Sequence, residues 1–136
     1  MIDPVDRRES ALLAVAHSYG VTVHRADLLP GERGRFEASQ SRILISRGLT
    51  VGQEVATLAH EVVHARRGDD GHQEAAVERF VDEEAARLII TAAAYRDAEQ
   101  VEGPDLWGIA RHLDVTPGLV LAWQRAARRL PAILAS

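Results

Sequence analysis

His60 and His64 stand four residues apart, with Glu61 directly after the first, inside an apolar run that includes Val55, Leu58, Ala59, Val62 and Val63. No other feature of the chain constrains its fold as tightly. On a helix, residues four apart differ by about 40° of rotation and one turn of rise, so the two imidazoles project side by side from one face. Two rings so placed chelate one metal ion, and Glu61 reaches water at that metal without taking a coordination position itself. On a polar surface helix the same residues would be two solvated histidines and a solvated charge. Here the apolar neighbours bury much of the helix, where such a trio is costly unless satisfied, and a metal satisfies it.

The rest of the chain limits what accompanies that helix. With 136 residues, 46% of them hydrophobic, it is long enough for one domain with a genuine core and too short for two. We take 1–136 as a single domain, with a metal-site core over 1–100 and a C-terminal subregion over 104–130. A net charge of −4 gives no general pull toward nucleic acid. No stretch is apolar for long enough to span a bilayer, and the first residues are polar and acidic where a secretory signal is basic and then apolar, so a cytoplasmic location is expected. Cysteine is absent, which removes disulfides, thiol nucleophiles and cysteine-held zinc, so any metal must be held by His, Asp or Glu. Every basic residue is arginine, which reads as base composition rather than function.

Around the histidine helix the pattern predicts an α+β fold. Asp6 to Tyr19 reads as an amphipathic helix stopped at Gly20. Val21 to His24, Arg35 to Ala38 and Arg42 to Ile45 are strand-like runs, the last two around the polar turn Ser39-Gln40-Ser41. A small three-stranded antiparallel sheet is expected from them. Thr50, with Gln53 three residues on, forms a capping-box pattern for the start of the histidine helix, and Arg66-Arg67-Gly68 marks its end. From Gln73 to about Tyr95 a second helix is predicted, with Ala76, Val77, Phe80, Val81, Ala85, Leu88 and Ile89 on one stripe. Asp105 to Leu113 and Pro117 to Arg129 form a closing helix pair, the second opened by Thr116-Pro117.

Two histidines leave a zinc site incomplete, because catalytic zinc commonly takes three protein ligands and keeps one position for water. Glu78 on the second helix is the leading candidate, since Asp82 one turn later then accepts a hydrogen bond from a ligating imidazole and fixes its tautomer. Glu74, Glu83 and Glu84 are neighbouring alternatives. Asp70 sits ten positions after His60, where the elongated H-E-x-x-H-x-x-G-x-x-H/D class places its third ligand, but Arg67 occupies that class's glycine position and Met1 is the only methionine. His72 is the remaining candidate, in a turn where histidine is usually solvated.

With those residues in hand, the chain resembles the ImmA/IrrE family of metallo-endopeptidases, gluzincin-like zinc enzymes with the H-E-x-x-H motif. The resemblance covers Thr57 to His64 and the block Glu78 to Ile89, which is similar to the family's E-x-x-A-N-x-F-A-A-x-L-L segment. Glu78 falls on the ligand position and Asp82 on the usual asparagine, while Val81 replaces an alanine and Glu84 an aromatic residue. The resemblance implies zinc as cofactor, with manganese able to replace it in vitro, and cytosolic cleavage of a helix-turn-helix repressor that controls a prophage, a mobile element or a stress response.

The mechanism expected of such a site has zinc on His60, His64 and Glu78, and Glu61 as the proton shuttle. Arg42, Ile43, Leu44 and Ile45 are the expected sheet edge for an extended substrate, and Tyr95, His72 or His112 the expected source of an oxyanion donor. The closing helix pair offers a rival reading. Ile109, Ala110, Leu113, Val115, Val120 and Trp123 occupy the packing positions of a helix-turn-helix, although Asp114 replaces the turn glycine. Arg111, Arg125, Arg128 and Arg129 then face phosphates, making a DNA-binding or repressor-binding regulator that keeps a peptidase fold without cleavage. Four arginines are a thin basic surface on an acidic protein, so direct nucleic-acid binding is not expected.

Overall fold

The computed structural model describes residues 1–135. The chain runs α1 (Arg7–Ser18), β1 (Thr22–Ala26), β2 (Gly34–Glu37), a 3-10 turn (Ala38–Gln40), β3 (Arg42–Ser46), α2 (Val51–Arg67), α3 (Ala75–Ile89), α4 (Ala92–Glu102), α5 (Leu106–Leu113), α6 (Pro117–Arg129) and a final 3-10 turn (Pro131–Ala135). It is an α+β fold, and none of its described helices is long and apolar enough to cross a membrane.

α2 is the central helix, and its ends are set by local chemistry. The Thr50 hydroxyl accepts from Gln53 N–H at 3.1 Å while the Gln53 side chain accepts from Thr50 N–H at 3.0 Å, completing the capping box. At the other end Gly68 takes the left-handed conformation, with φ 76°, and the Asp69 amide donates back to the His64 carbonyl at 3.1 Å. Between these caps Val55, Leu58, Ala59, Val62 and Val63 are almost fully buried.

The sheet is mixed, which corrects the antiparallel expectation. Its order is β1-β3-β2, with β1 parallel to β3 and β2 antiparallel to it, in the register Val23↔Ile43 and Phe36↔Ile43. β3 therefore inserts between its two predecessors. The cause is visible in its composition: Ile43, Leu44 and Ile45 are consecutive apolar residues and all three are buried, Ile43 and Ile45 in the main core and Leu44 between the neighbouring strands, as a central position allows. Arg42 to Ile45 is not an exposed edge. The edge strands are β1 and β2.

The expected helix from Gln73 to Tyr95 is two helices. Ile90 adopts extended backbone (φ −106°, ψ 118°), and the Thr91 hydroxyl caps α4 by accepting from Ala94 N–H at 3.1 Å. The Ile90 carbonyl, lost to the helix ladder, accepts instead from Trp123 Nε1–H of α6 at 3.0 Å. On α3, Val81 and Ala85 are buried as the stripe predicts, whereas Phe80 and Leu88 are exposed. The closing pair, α5 and α6, forms as expected, with Asp114 in the left-handed conformation (φ 52°) where a glycine is usual. Ile109, Ala110, Val115, Val120 and Trp123 are buried, and α6 lies against α3, where Glu83 pairs with Arg129 at 2.7 Å.

Candidate metal centre

α2 presents His60 and His64 on the face that meets α3, and α3 brings Glu78 to them. His60 Nε2 lies 3.0 Å and His64 Nε2 3.1 Å from the same oxygen, Glu78 Oε1, and the two nitrogens are 3.2 Å apart. The outer nitrogens are tied back: His60 Nδ1 lies 2.8 Å from Asp82 Oδ1, and His64 Nδ1 2.8 Å from Asp69 Oδ2. Carboxylates at both Nδ1 positions fix the tautomer with the proton on Nδ1, leaving both Nε2 lone pairs directed at the Glu78 carboxylate. With both rings neutral, three acceptors then converge with no donor among them. A cation relieves that repulsion, and the triangle has the right scale, because ligands about 2.0–2.1 Å from a tetrahedral ion stand about 3.3 Å apart. Among the described residues, His60, His64 and Glu78 form the cluster able to hold a metal ion.

The electrostatics follow from these contacts. Glu78 resists the upward pull of desolvation and stays below the usual glutamate range, because the Gln73 amide donates to its Oε2 at 2.9 Å and His64 adjoins it. Burial likewise works to raise Asp69, yet His64 and the Arg67 guanidinium, 2.8 Å away, hold it low. For His60, burial disfavours the charged ring, but Asp82, Glu61 and Glu78 more than offset it and raise its pKa. Burial pushes the Glu61 carboxyl above its ordinary range against the opposing pull of His60 and His64. Glu61 is 7% exposed and sits where two cavities adjoin, so a carboxylate with raised basicity borders the cluster without belonging to it.

β2 forms the other wall of the larger cavity. Residues Gly34 to Glu37 line it opposite His60, Glu61 and His64. The strand approaches α2 closely because residue 34 has no side chain: a Cβ there would stand 2.5 Å from Thr57 Cγ2 and 3.1 Å from the Leu44 carbonyl oxygen.

The other sequence candidates are dispersed. Asp70 and His72 line the larger cavity, but His72 is 86% exposed and its Nδ1 is 3.9 Å from Glu78 Oε2. Tyr95 is buried and stacked on Trp123 at 4.3 Å, and His112 faces Glu102, so neither reaches the cluster. Glu83 and Glu84 pair with arginines, and Glu74 is the residue preceding α3. Asp69 is the site residue that the sequence reading missed. Its signal was the glycine exit itself: a left-handed Gly68 turns the following residue back over the last turn of the helix, which places Asp69 on His64.

Comparison with known proteins bears on the same residues. No curated protein compared with it matches the chain. The family model described as the IrrE N-terminal-like domain, a peptidase family, matches residues 16–122, a span that contains the whole cluster and both helices that carry it. The geometry is consistent with a metal cofactor, and the match covers well over half of the sequence; the chain belongs to the IrrE N-terminal-like family of peptidases, hydrolases of the metallopeptidase type.

Proposed function

We propose that the protein is a zinc-dependent endopeptidase of narrow specificity that acts in the cytoplasm on a helix-turn-helix repressor of a phage, a mobile element or a stress regulon. The observation that carries the metal chemistry is the convergence of His60 Nε2, His64 Nε2 and Glu78 Oε1 with Glu61 at their border. Bound there, zinc supplies Lewis acidity toward water and the peptide carbonyl. Manganese fits the same donors in vitro. Glu61 accepts the proton that water loses and delivers it to the departing amine, a role that suits a buried carboxyl of raised pKa. Asp82 and Asp69 hold the two imidazoles in orientation. An extended substrate segment pairs with the free edge of β2, which faces the cluster across the cleft. The repressor as substrate rests on the resemblance to the ImmA/IrrE family.

A DNA-binding role is disfavoured by the placement of the closing helices. Two of the four arginines in question, Arg125 and Arg129, are directed at Glu83 of α3, at 3.6 and 2.7 Å, and Thr116, Gly118 and Leu119 at the start of α6 line the cavity beside Glu61.

Incubation of the purified protein with zinc or manganese and a helix-turn-helix repressor encoded beside it tests the reading. The repressor is expected to be cut at a single position, and Glu61→Gln to bind zinc normally while the rate falls about 10²- to 10⁴-fold. Full cleavage by Glu61→Gln with zinc bound would remove Glu61 from the chemistry.

A further inference from the structure

The smaller cavity, of about 380 Å³, runs from His60 and Glu61 past β2 to the first turn of α6. Ala56, Ala85 and Leu119 supply an apolar wall with little side-chain bulk. Arg33, just before β2, lines both this cavity and the larger cleft. Its backbone is anchored to the sheet, since the Arg33 carbonyl accepts from Ser46 N–H at 2.7 Å. Its guanidinium is exposed and has no hydrogen-bond or ion-pair partner among the described residues. The next arginine along, Arg35, is by contrast held by Glu32 and Glu37. Of the two acids on the cavity wall, Asp82 is taken up by His60, and Glu61 is the group assigned to proton transfer above.

We propose that this cavity receives one side chain of the substrate next to the scissile bond, and that Arg33 makes it select an acidic one. The aliphatic stem of an aspartate or glutamate lies against Ala56, Ala85 and Leu119, while its carboxylate takes the forked donors of Arg33 at the rim. Arg33 is thus a specificity residue, and its place rests on the endopeptidase reading only for the position of the bond that is cut. The binding it predicts does not require cleavage.

The probes are acetylated, amidated alanine hexapeptides with one central guest residue, Glu, Gln or Lys. Alanine at every other position lets the peptide slide until the guest finds its pocket. Titrated into the zinc-loaded Glu61→Gln protein and followed by amide NMR shifts, the Glu peptide is expected to move Gly34, Ala56, Ala85 and Leu119 and to bind about fivefold more tightly than the Gln or Lys peptides. Arg33→Gln should bring the three affinities together, and Arg33→Glu should reverse the order in favour of Lys. Equal affinities with Arg33 intact, no binding of any peptide, shifts that avoid the cavity, or a Glu preference that survives Arg33→Glu would each overturn the proposal. Selective peptide binding together with a repressor left uncut by the wild-type protein sinks the peptidase reading and leaves the pocket standing, whereas repressor cleavage with no acidic preference among the peptides does the reverse.

Discussion

Each of the two histidines is held at both ring nitrogens, and the outer contacts set what the inner ones can do. Asp69 and Asp82 reach Nδ1 of His64 and His60 at 2.8 Å, which orients both rings. Replacing Asp69 by alanine is expected to weaken zinc binding about 10- to 100-fold, measured by competition with a chromophoric chelator, while Asp70→Ala leaves it near the wild-type value. An Asp69→Ala affinity within about twofold of wild type would show that the ring holds its place without the carboxylate. The residues of the cluster were legible because helix periodicity alone puts positions 60 and 64 on one face and because an i, i+4 pair, Glu78 and Asp82, can supply both an inner and an outer contact. Asp69 was hidden because its contact is made by a reversal of the backbone at Gly68 and not by periodicity. A second buried acid lies far from the cluster, on α1. Glu9 is fully buried, its Oε2 meets no donor among the described residues, and burial together with Glu54 pushes its pKa up to about 7, while Arg25 holds Glu54 low. A carboxyl whose folded pKa is raised stabilises the fold fully below its unfolded value near 4.5 and loses that contribution as pH rises through about 7. Glu9→Gln keeps the neutral form at every pH, so it should raise the thermal midpoint at pH 8 by about 3–6 °C and change it little at pH 4.5. Equal shifts at both pH values would mean that Glu9 is not protonated in the fold.

At the level of whole elements, the position of one strand decides which edge of the sheet lies at the cleft. β3 carries Ile43, Leu44 and Ile45 in succession, and such a run has no face to give to water, so it takes the middle of the sheet and leaves β2 at the rim. The three strands were legible as strands, but their order was not, because adjacency in sequence favoured a simple meander while the apolar run in β3 favoured insertion. The run was the better signal. The helix break at Ile90 was hidden for a related reason: the apolar period continues through Leu88, Ile89 and Ile90, and only the demand of Trp123 for the Ile90 carbonyl, together with the Thr91 cap, interrupts it. β2 comes close to α2 through Gly34. Gly34→Ala sets a Cβ 2.5 Å from Thr57 Cγ2 and is expected to cost about 1–3 kcal/mol in urea unfolding. Thr57→Ser removes that methyl and should restore part of the loss, with the remainder left by the Leu44 carbonyl at 3.1 Å. If Gly34→Ala is as stable as wild type, β2 does not seat on α2 as closely as described.

Across the molecule, the closing helices are bound to those that carry His60, His64 and Glu78 by contacts that a detachable subregion would lack. Arg8 of α1 donates to the Leu113 and Asp114 carbonyls at 3.1 and 2.8 Å, Glu83 of α3 takes Arg129 of α6, and Trp123 of α6 is buried against Tyr95 of α4. The resemblance of α5 and α6 to a helix-turn-helix lies in their packing residues, and those residues face this same core. A chain so connected should unfold as one unit. There are two tryptophans, and Trp107 is 64% exposed, so Trp107→Phe leaves Trp123 as the sole reporter at the junction of α3, α4 and α6 with little effect on stability. Its fluorescence and the far-UV circular dichroism should then fall at the same urea concentration. Zinc at about 100 times its Kd adds about 2.7 kcal/mol to the folded state, so it should move both midpoints upward together by about 1–2 M. A Trp123 transition that precedes the loss of helix, and that zinc leaves in place while the other moves, would separate the closing pair from the metal core. Coincident curves require the opposite: a cation held by α2 and α3 then stabilises α6 as well, because Glu83, Ile90 and Trp123 transmit to the closing pair any loosening of the helices that hold His60, His64 and Glu78.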